Sequence, residues 1–129
     1  MRILLDTHIA LWALTDSQYL PARARELIAD PGNQIHFSAA SIWEISIKHA
    51  LARRDMPVSG EDAIRLFVEA GYDEVPVSAQ HAATTGMLPP HHADPFDRLL
   101  LAQSLVEPMH LLTHDRQLKK YGTPPVLYV

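Results

Sequence analysis

With 129 residues, 47% of them hydrophobic and 20% charged, the chain is long enough to bury one core and too apolar to be disordered. It has no cysteine, which excludes disulfides, thiolate zinc sites and cysteine nucleophiles. A formal charge of −4, from 15 acids and 11 bases, argues against broad electrostatic coating of DNA without excluding an enzyme that acts on nucleic acid.

Arg2 to Asp6 is a short apolar run closed by an acid, the pattern of a buried parallel strand. Thr7 is available to cap a helix through Ile9, Leu11, Trp12 and Leu14. The opening stretch MRILLDTHIALWALTD carries Asp6 early and has no small-residue cleavage site, so it does not read as a signal peptide. No stretch approaches membrane-spanning length, and a cytoplasmic protein is expected. Pro21 starts a helix spaced by Ala24, Leu27 and Ile28 that stops at Pro31-Gly32. Gln34 to Ser38 is the second strand.

Ser38 or Ser41 caps a helix to about Arg53, and Ser59 caps another over Glu61 to Ala70 with Gly71 as its stop. Asp73 to Val77 reads as a third strand, followed by a short helix from Ser78 and a loop over Leu88 to Ala93. The next helix is strongly periodic, with Phe96, Leu99, Leu100, Ala102, Leu105 and Val106 directed at a core. His110 to Thr113, a helical turn over Arg116 to Tyr121, and a last strand Val126 to Tyr128 complete the chain. Strands alternate with helices and no repeat or linker intervenes. One domain over residues 1–129, with a parallel sheet covered on both faces, is the economical architecture.

Four acids stand where these elements start or stop: Asp6, Glu44, Asp97 and Asp115. In open α/β sheets, sites form beyond the carboxyl ends of the strands where strand order reverses. If the first and fourth strands are neighbours, Asp6 and Asp115 open into one crevice, with Asp97 and Glu44 joining from the first turns of helices. Each acid also has a purely structural explanation. Asp94-Pro95-Phe96-Asp97 and Ser41-Ile42-Trp43-Glu44 read as capping boxes, Asp115 as a turn residue and Asp6 as a cap. Asp6 fits its explanation least, since Thr7 could cap instead. A helical wheel puts Trp43, Ile47, Ala50 and Leu51 on the buried arc and Glu44 at its edge, where an acid wants a partner.

Two carboxylates about 4 Å apart repel by about 4 kcal/mol at an effective dielectric near 20. No base other than Arg98 and Arg116 adjoins the acids, and both are expected to point away. A hard divalent ion, Mg²⁺ or Mn²⁺, is the natural compensation, and such ions serve phosphodiester hydrolysis. The basic groups Arg23 and Arg25, Lys48, Arg53 and Arg54, and Arg116, Lys119 and Lys120 read first as solvated faces able to touch a few phosphates. His8, His91, His92 and His114 lie near the acids, but no helical zinc pair exists and the His91-His92 loop suggests no fixed geometry. These histidines read as rim groups.

The stretches LLDTHIALWAL, SAASIWEISIKHALARRDMP, LPPHHADPFDRLLLAQSL and LLTHDRQLKKYG together resemble the PIN-domain family, and within it the VapC-type toxins of toxin–antitoxin pairs. The resemblance spans nearly the whole chain. It implies an α/β, PIN-like three-layer α/β/α sandwich with a small parallel sheet of four to five strands. It implies a Mg²⁺-dependent endoribonuclease, with Mn²⁺ able to substitute. By motif match, Asp6, Glu44, Asp97 and Asp115 take the family's acidic quartet, and Asp6 and Asp97 touch the metal. Thr113 matches a small hydroxyl residue of the outer shell, and Asp94 stays open between cap and outer-shell ligand. A homodimer and an antitoxin are implied too, the antitoxin covering an apolar groove supplied by the helix of Ile9, Trp12 and Leu14 or that of Trp43 and Ile47. Two alternatives stand beside this reading. One is a catalytically inactive PIN-like module that binds RNA or protein. The other is a receiver-type phosphoacceptor domain, which wants paired acids after the first strand and a late lysine that this chain lacks.

Overall fold

Strand β1 (Arg2–Leu5) lies at the centre of a five-stranded parallel sheet, flanked by β2 (Gln34–Ser38) on one side and β4 (His110–Thr113) on the other. The edges are β3 (Asp73–Val75), beside β2, and β5 (Val126–Tyr128), beside β4. The structure is a computed structural model and describes residues 1–54 and 56–129. Seven helices connect the strands among the described residues: α1 (Thr7–Leu14), α2 (Ala22–Ala29), α3 (Ala39–Ala50), α4 (Gly60–Glu69), α5 (Ala79–Thr85), α6 (Pro95–Val106) and α7 (Arg116–Lys119). None of them is long and apolar enough to cross a membrane.

The central strands are apolar on both faces because helices cover both faces. Ile3, Leu5 and Leu112 point into a core shared with Ile9, Ala24, Leu27, Ala63 and Phe67. Leu4 and Leu111 point the other way, onto Leu100, Leu101 and Leu118. This is the expected three-layer α/β/α arrangement. Phe37 and Phe67, both fully buried, meet with ring centroids 5.1 Å apart. Removing either ring should cost about 3–5 kcal/mol. Buried Gln103 is matched at both ends: it accepts from the Ser38 hydroxyl at 2.5 Å and donates to the Pro76 carbonyl at 3.3 Å.

Two glycines are required by geometry. Gly60 lets α4 approach α3 so closely that a Cβ there would lie 2.0 Å from Ser46 Oγ. Gly71, at φ 89°, ends α4 in the left-handed region that side chains rarely adopt.

Several sequence expectations need correction. The wheel for α3 chose the wrong face: Trp43 is 61% exposed and Leu51 68%, while Ala40, Ser41, Glu44 and Ile45 are the buried set. The most apolar arc of α3 looks outward. There, Trp43, Ile47 and Leu51 stand exposed one turn apart, with the Trp43 ring edge-on to Phe96 of α6. On α6, Leu105 is likewise exposed, while Leu101, Gln103 and Ser104 are buried in addition to Leu100 and Ala102. Strand β3 ends at Val75, short of Val77, since Pro76 has no N–H to continue the ladder.

Candidate active site

The order of strands reverses between β1 and β4, which pair in parallel with Leu5 opposite Leu112. That register places Asp6 and Asp115 at one sheet end, as the sequence suggested. The Asp6 N–H continues the ladder to Leu112 O at 3.0 Å. Its side chain then does two things. Oδ1 accepts from the Ile9 N–H at 2.8 Å and so caps α1, while Oδ2 accepts from the Thr113 hydroxyl. Asp6, and not Thr7, is therefore the cap. Thr7 instead donates to Ser41 Oγ at 2.8 Å and ties α1 to α3.

Asp115 repeats the device. Its Oδ1 accepts from the Gln117 N–H at 2.8 Å, capping α7, and Oδ2 lies 3.1 Å from His92 Nε2. The Asp115 N–H donates to Thr113 Oγ1 at 3.0 Å. Thr113 is fully buried and thus links the two aspartates, accepting from one backbone and donating to the other carboxylate. Asp94 caps α6 by accepting from the Asp97 N–H at 3.0 Å. Asp97 does not reach back to complete a capping box; its Oδ2 accepts from His92 Nε2 at 2.8 Å. His92, Asp97 and Asp115 present donor atoms within 4.8 Å of one another.

Electrostatics bind Asp6 into the same group. Burial pushes its carboxyl above the usual carboxylate range, opposed by the Thr113 and Ile9 hydrogen bonds and by His8, with Asp115 adding to the rise. The Asp97 carboxyl is pushed up to about 7, first by burial, then by the charges of Asp94 and Asp6, with His92 pulling the other way. Asp6 is joined to Asp115 through Thr113 and lines the same cavity, and Asp115 is joined to Asp97 through His92.

Glu44 is placed differently. It is one helical turn along α3 from Ser41, which holds Thr7, and it is 4% exposed. Its Oε2 lies 2.7 Å from Lys48 Nζ, while Oε1 is buried without a hydrogen-bond partner. The expectation that only Arg98 and Arg116 adjoin the acids thus missed Lys48, one turn beyond Glu44. The set of His92, Asp97 and Asp115, carboxylate oxygens with one imidazole, suits a hard divalent cation. Asp6, Asp97, Asp115 and His92 are the side chains that could hold one.

Sequence reasoning assigned His92 to a loop without fixed geometry, and the structure corrects that. The Arg98 guanidinium donates to the carbonyls of Thr85 at 2.8 Å, Pro89 at 3.2 Å and His92 at 3.2 Å. The Tyr121 hydroxyl also donates to Pro89 O, at 2.6 Å, and the His91 ring packs edge-on against Tyr121. Arg98 is half-buried, and its contacts are all to uncharged oxygens of the loop and of Tyr121. His8 and His114 stand at the rim as expected. With Asp6, Trp12 and Asp115 they line a cavity of about 250 Å³.

The family model for the PIN domain matches residues 3–124. No curated protein matches the sequence significantly. Among solved structures, VapBC2 from Rickettsia felis, bound to a DNA fragment from their promoter, superposes with a TM-score of 0.72 at 17% identity, covering 100% of this chain and 99% of that one. VapBC-1 from nontypeable Haemophilus influenzae gives 0.64 at 18% identity, covering 99% and 98%. A toxin–antitoxin complex from Klebsiella pneumoniae gives 0.64 at 19%, covering 97% and 95%. At these identities the likeness is one of fold. The family match covers nearly the entire sequence, and on that ground the chain belongs to the PIN domain family.

Proposed function

We propose that the protein is a metal-dependent endoribonuclease of VapC type, the toxin of a toxin–antitoxin pair acting in the cytoplasm. The observation that carries this reading is the convergence of Asp6, Asp97 and Asp115 at the β1–β4 switch point, their inward oxygens unneutralised by lysine or arginine among the described residues. Mg²⁺, or Mn²⁺ in its place, would be held by Asp6 and Asp97, where such an ion activates water and offsets charge building on a phosphoryl group. Asp6 is fixed for that role by the Ile9 N–H and the Thr113 hydroxyl. Thr113 also sets Asp115 through its backbone, and Asp94 sets the first turn that carries Asp97. Asp115, the most open of the three carboxylates, accepts the proton of the attacking water on its Oδ2.

The partner surfaces follow from exposure. The outward stripe of Trp43, Ile47 and Leu51 on α3 is the surface we assign to protein partners, an antitoxin or a second copy of the chain. RNA would approach the other rim, above the acids.

Purified protein should cleave RNA with Mg²⁺ or Mn²⁺ and stop when the ion is chelated. Asp6→Asn should lose at least about a hundredfold in rate, as removal of one group stabilising charge in the transition state does. Equal activity of the Asp6→Asn protein, or cleavage that persists in chelator, would overturn the assignment. Expression should slow growth, and Asp97→Asn should relieve it. A small neighbouring reading frame encoding a DNA-binding fold would mark the antitoxin.

A further inference from the structure

The cavity beside the acids is walled by aromatic rings. Its floor is Asp6 and Asp115, and its sides are His8, Trp12 and His114. His8 and Trp12 lie one turn apart on α1, their rings 5.9 Å apart, and the His114 ring closes the other side 6.1 Å from Trp12. The rings continue outward. Tyr19, 68% exposed, stands 6.2 Å from Trp12, and Tyr128 stacks on His114 at 5.8 Å with an 11° interplanar angle. Lys119 Nζ sits 4.6 Å over the Tyr128 ring. The His114 ring is anchored by its Nδ1 to the Val129 carbonyl.

Aromatic rings grouped over a carboxylate floor are poor lining for an aliphatic peptide, which would bury the acids without pairing them. They suit a flat group with a π face and polar edges. An unpaired nucleobase is such a group, and its face stacks on aromatic side chains. Lys119, beyond Tyr128, is placed for the phosphate of a nucleotide leaving the slot. We propose that this cavity seats one unpaired base of a single-stranded RNA next to the reacting phosphate, with Trp12 as the stacking face and His8 and His114 as its flanks. The inference rests on the ribonuclease reading for the identity of the polymer, and it adds a residue set that the acidic motif does not contain.

The experiment measures coupling between the base and the ring. Asp97→Asn protein, which keeps every residue of the slot, is titrated with a mixed-sequence single-stranded RNA octamer and with octamers made abasic at one position each. Trp12→Ala should weaken binding of the full octamer about 5- to 150-fold, the range for one stacked base. Trp12→Phe should keep most of the affinity. At one position, removing the base should weaken binding to the Trp12 protein by a similar factor and leave binding to the Trp12→Ala protein unchanged. With Trp43→Phe added, Trp12 is the sole tryptophan, and its fluorescence should be quenched by the full octamer. Strictly additive losses at every position, or RNA that binds without changing Trp12 fluorescence, would overturn the proposal. So would a response of Trp12 to a protein partner and none to RNA. If Trp12→Ala does not fold, the exposed His114→Ala carries the same coupling test. Coupling without cleavage by the wild-type protein would sink the nuclease reading and leave the base seat standing; cleavage with additive losses would do the reverse.

Discussion

Asp97 should cost the metal-free protein stability at neutral pH, and removing its charge should return it. Its carboxyl is pushed from the ordinary 3.8 up to about 7, chiefly by burial and then by Asp94 and Asp6. Between those two values the folded chain holds a proton that the unfolded chain has released. Stability therefore falls as pH rises through this window, and the loss is complete above about 7. At about 1.36 kcal/mol per pH unit, the ceiling is about 4 kcal/mol. The Asp6 carboxyl is raised as well, chiefly by its own burial, and shares the effect, so a single substitution at Asp97 should recover only part of that ceiling.

Asp97→Asn keeps the backbone N–H that Asp94 accepts, so the start of α6 is undisturbed. Urea unfolding in chelator should show the wild-type midpoint dropping between pH 4 and pH 8 and the Asn variant dropping much less. At pH 4 the two should nearly coincide. Adding Mg²⁺ at pH 8 should raise the wild-type midpoint more than that of the variant, because the ion binds the folded form alone. A flat wild-type profile with an Asn variant no more stable at pH 8 would refute the reasoning, and with it the claim that the carboxylates are crowded enough to need a cation.

Three further outcomes follow from packing around the site. Lys48→Met leaves Glu44 buried with no countercharge and should destabilise the fold by about 3 kcal/mol in urea, with most of the loss recovered in the Lys48→Met, Glu44→Gln double variant. Gly60→Ala should cost about 1–3 kcal/mol because its Cβ would meet Ser46 Oγ at 2.0 Å, and adding Ser46→Ala should relieve it. Arg98→Met frees the carbonyls of Thr85, Pro89 and His92 and should lower RNA cleavage about 10- to 100-fold, as loss of support for a ligating group does. Faster hydrogen exchange over residues 86–93 with an unchanged core would identify the loop as the part released.

The strands and most helix starts were legible because their signals are local. Ile3-Leu4-Leu5 is apolar without alternation since both faces of β1 are covered, and Ser38, Ser59, Ser78 and Asp94 cap the helices they precede. The face of α3 was not legible. A wheel finds the apolar arc but not whether this protein buries it, and here Thr7 and Ser41 join α1 to α3 through polar atoms while Trp43 and Leu51 face out. His92 was hidden for another reason: its place is set by Arg98 and Asp115, contacts that no local spacing predicts. For the acids, the cap and the site are not rival explanations. A carboxylate has two oxygens, and Asp6 and Asp115 each spend one on a helix N-terminus and turn the other inward. The cap fixes the side chain's angle, so the inward oxygen arrives at a defined point without further support. In this fold a capping aspartate at a strand end is therefore the cheapest way to build an oriented ligand, and the same sequence signal serves both roles.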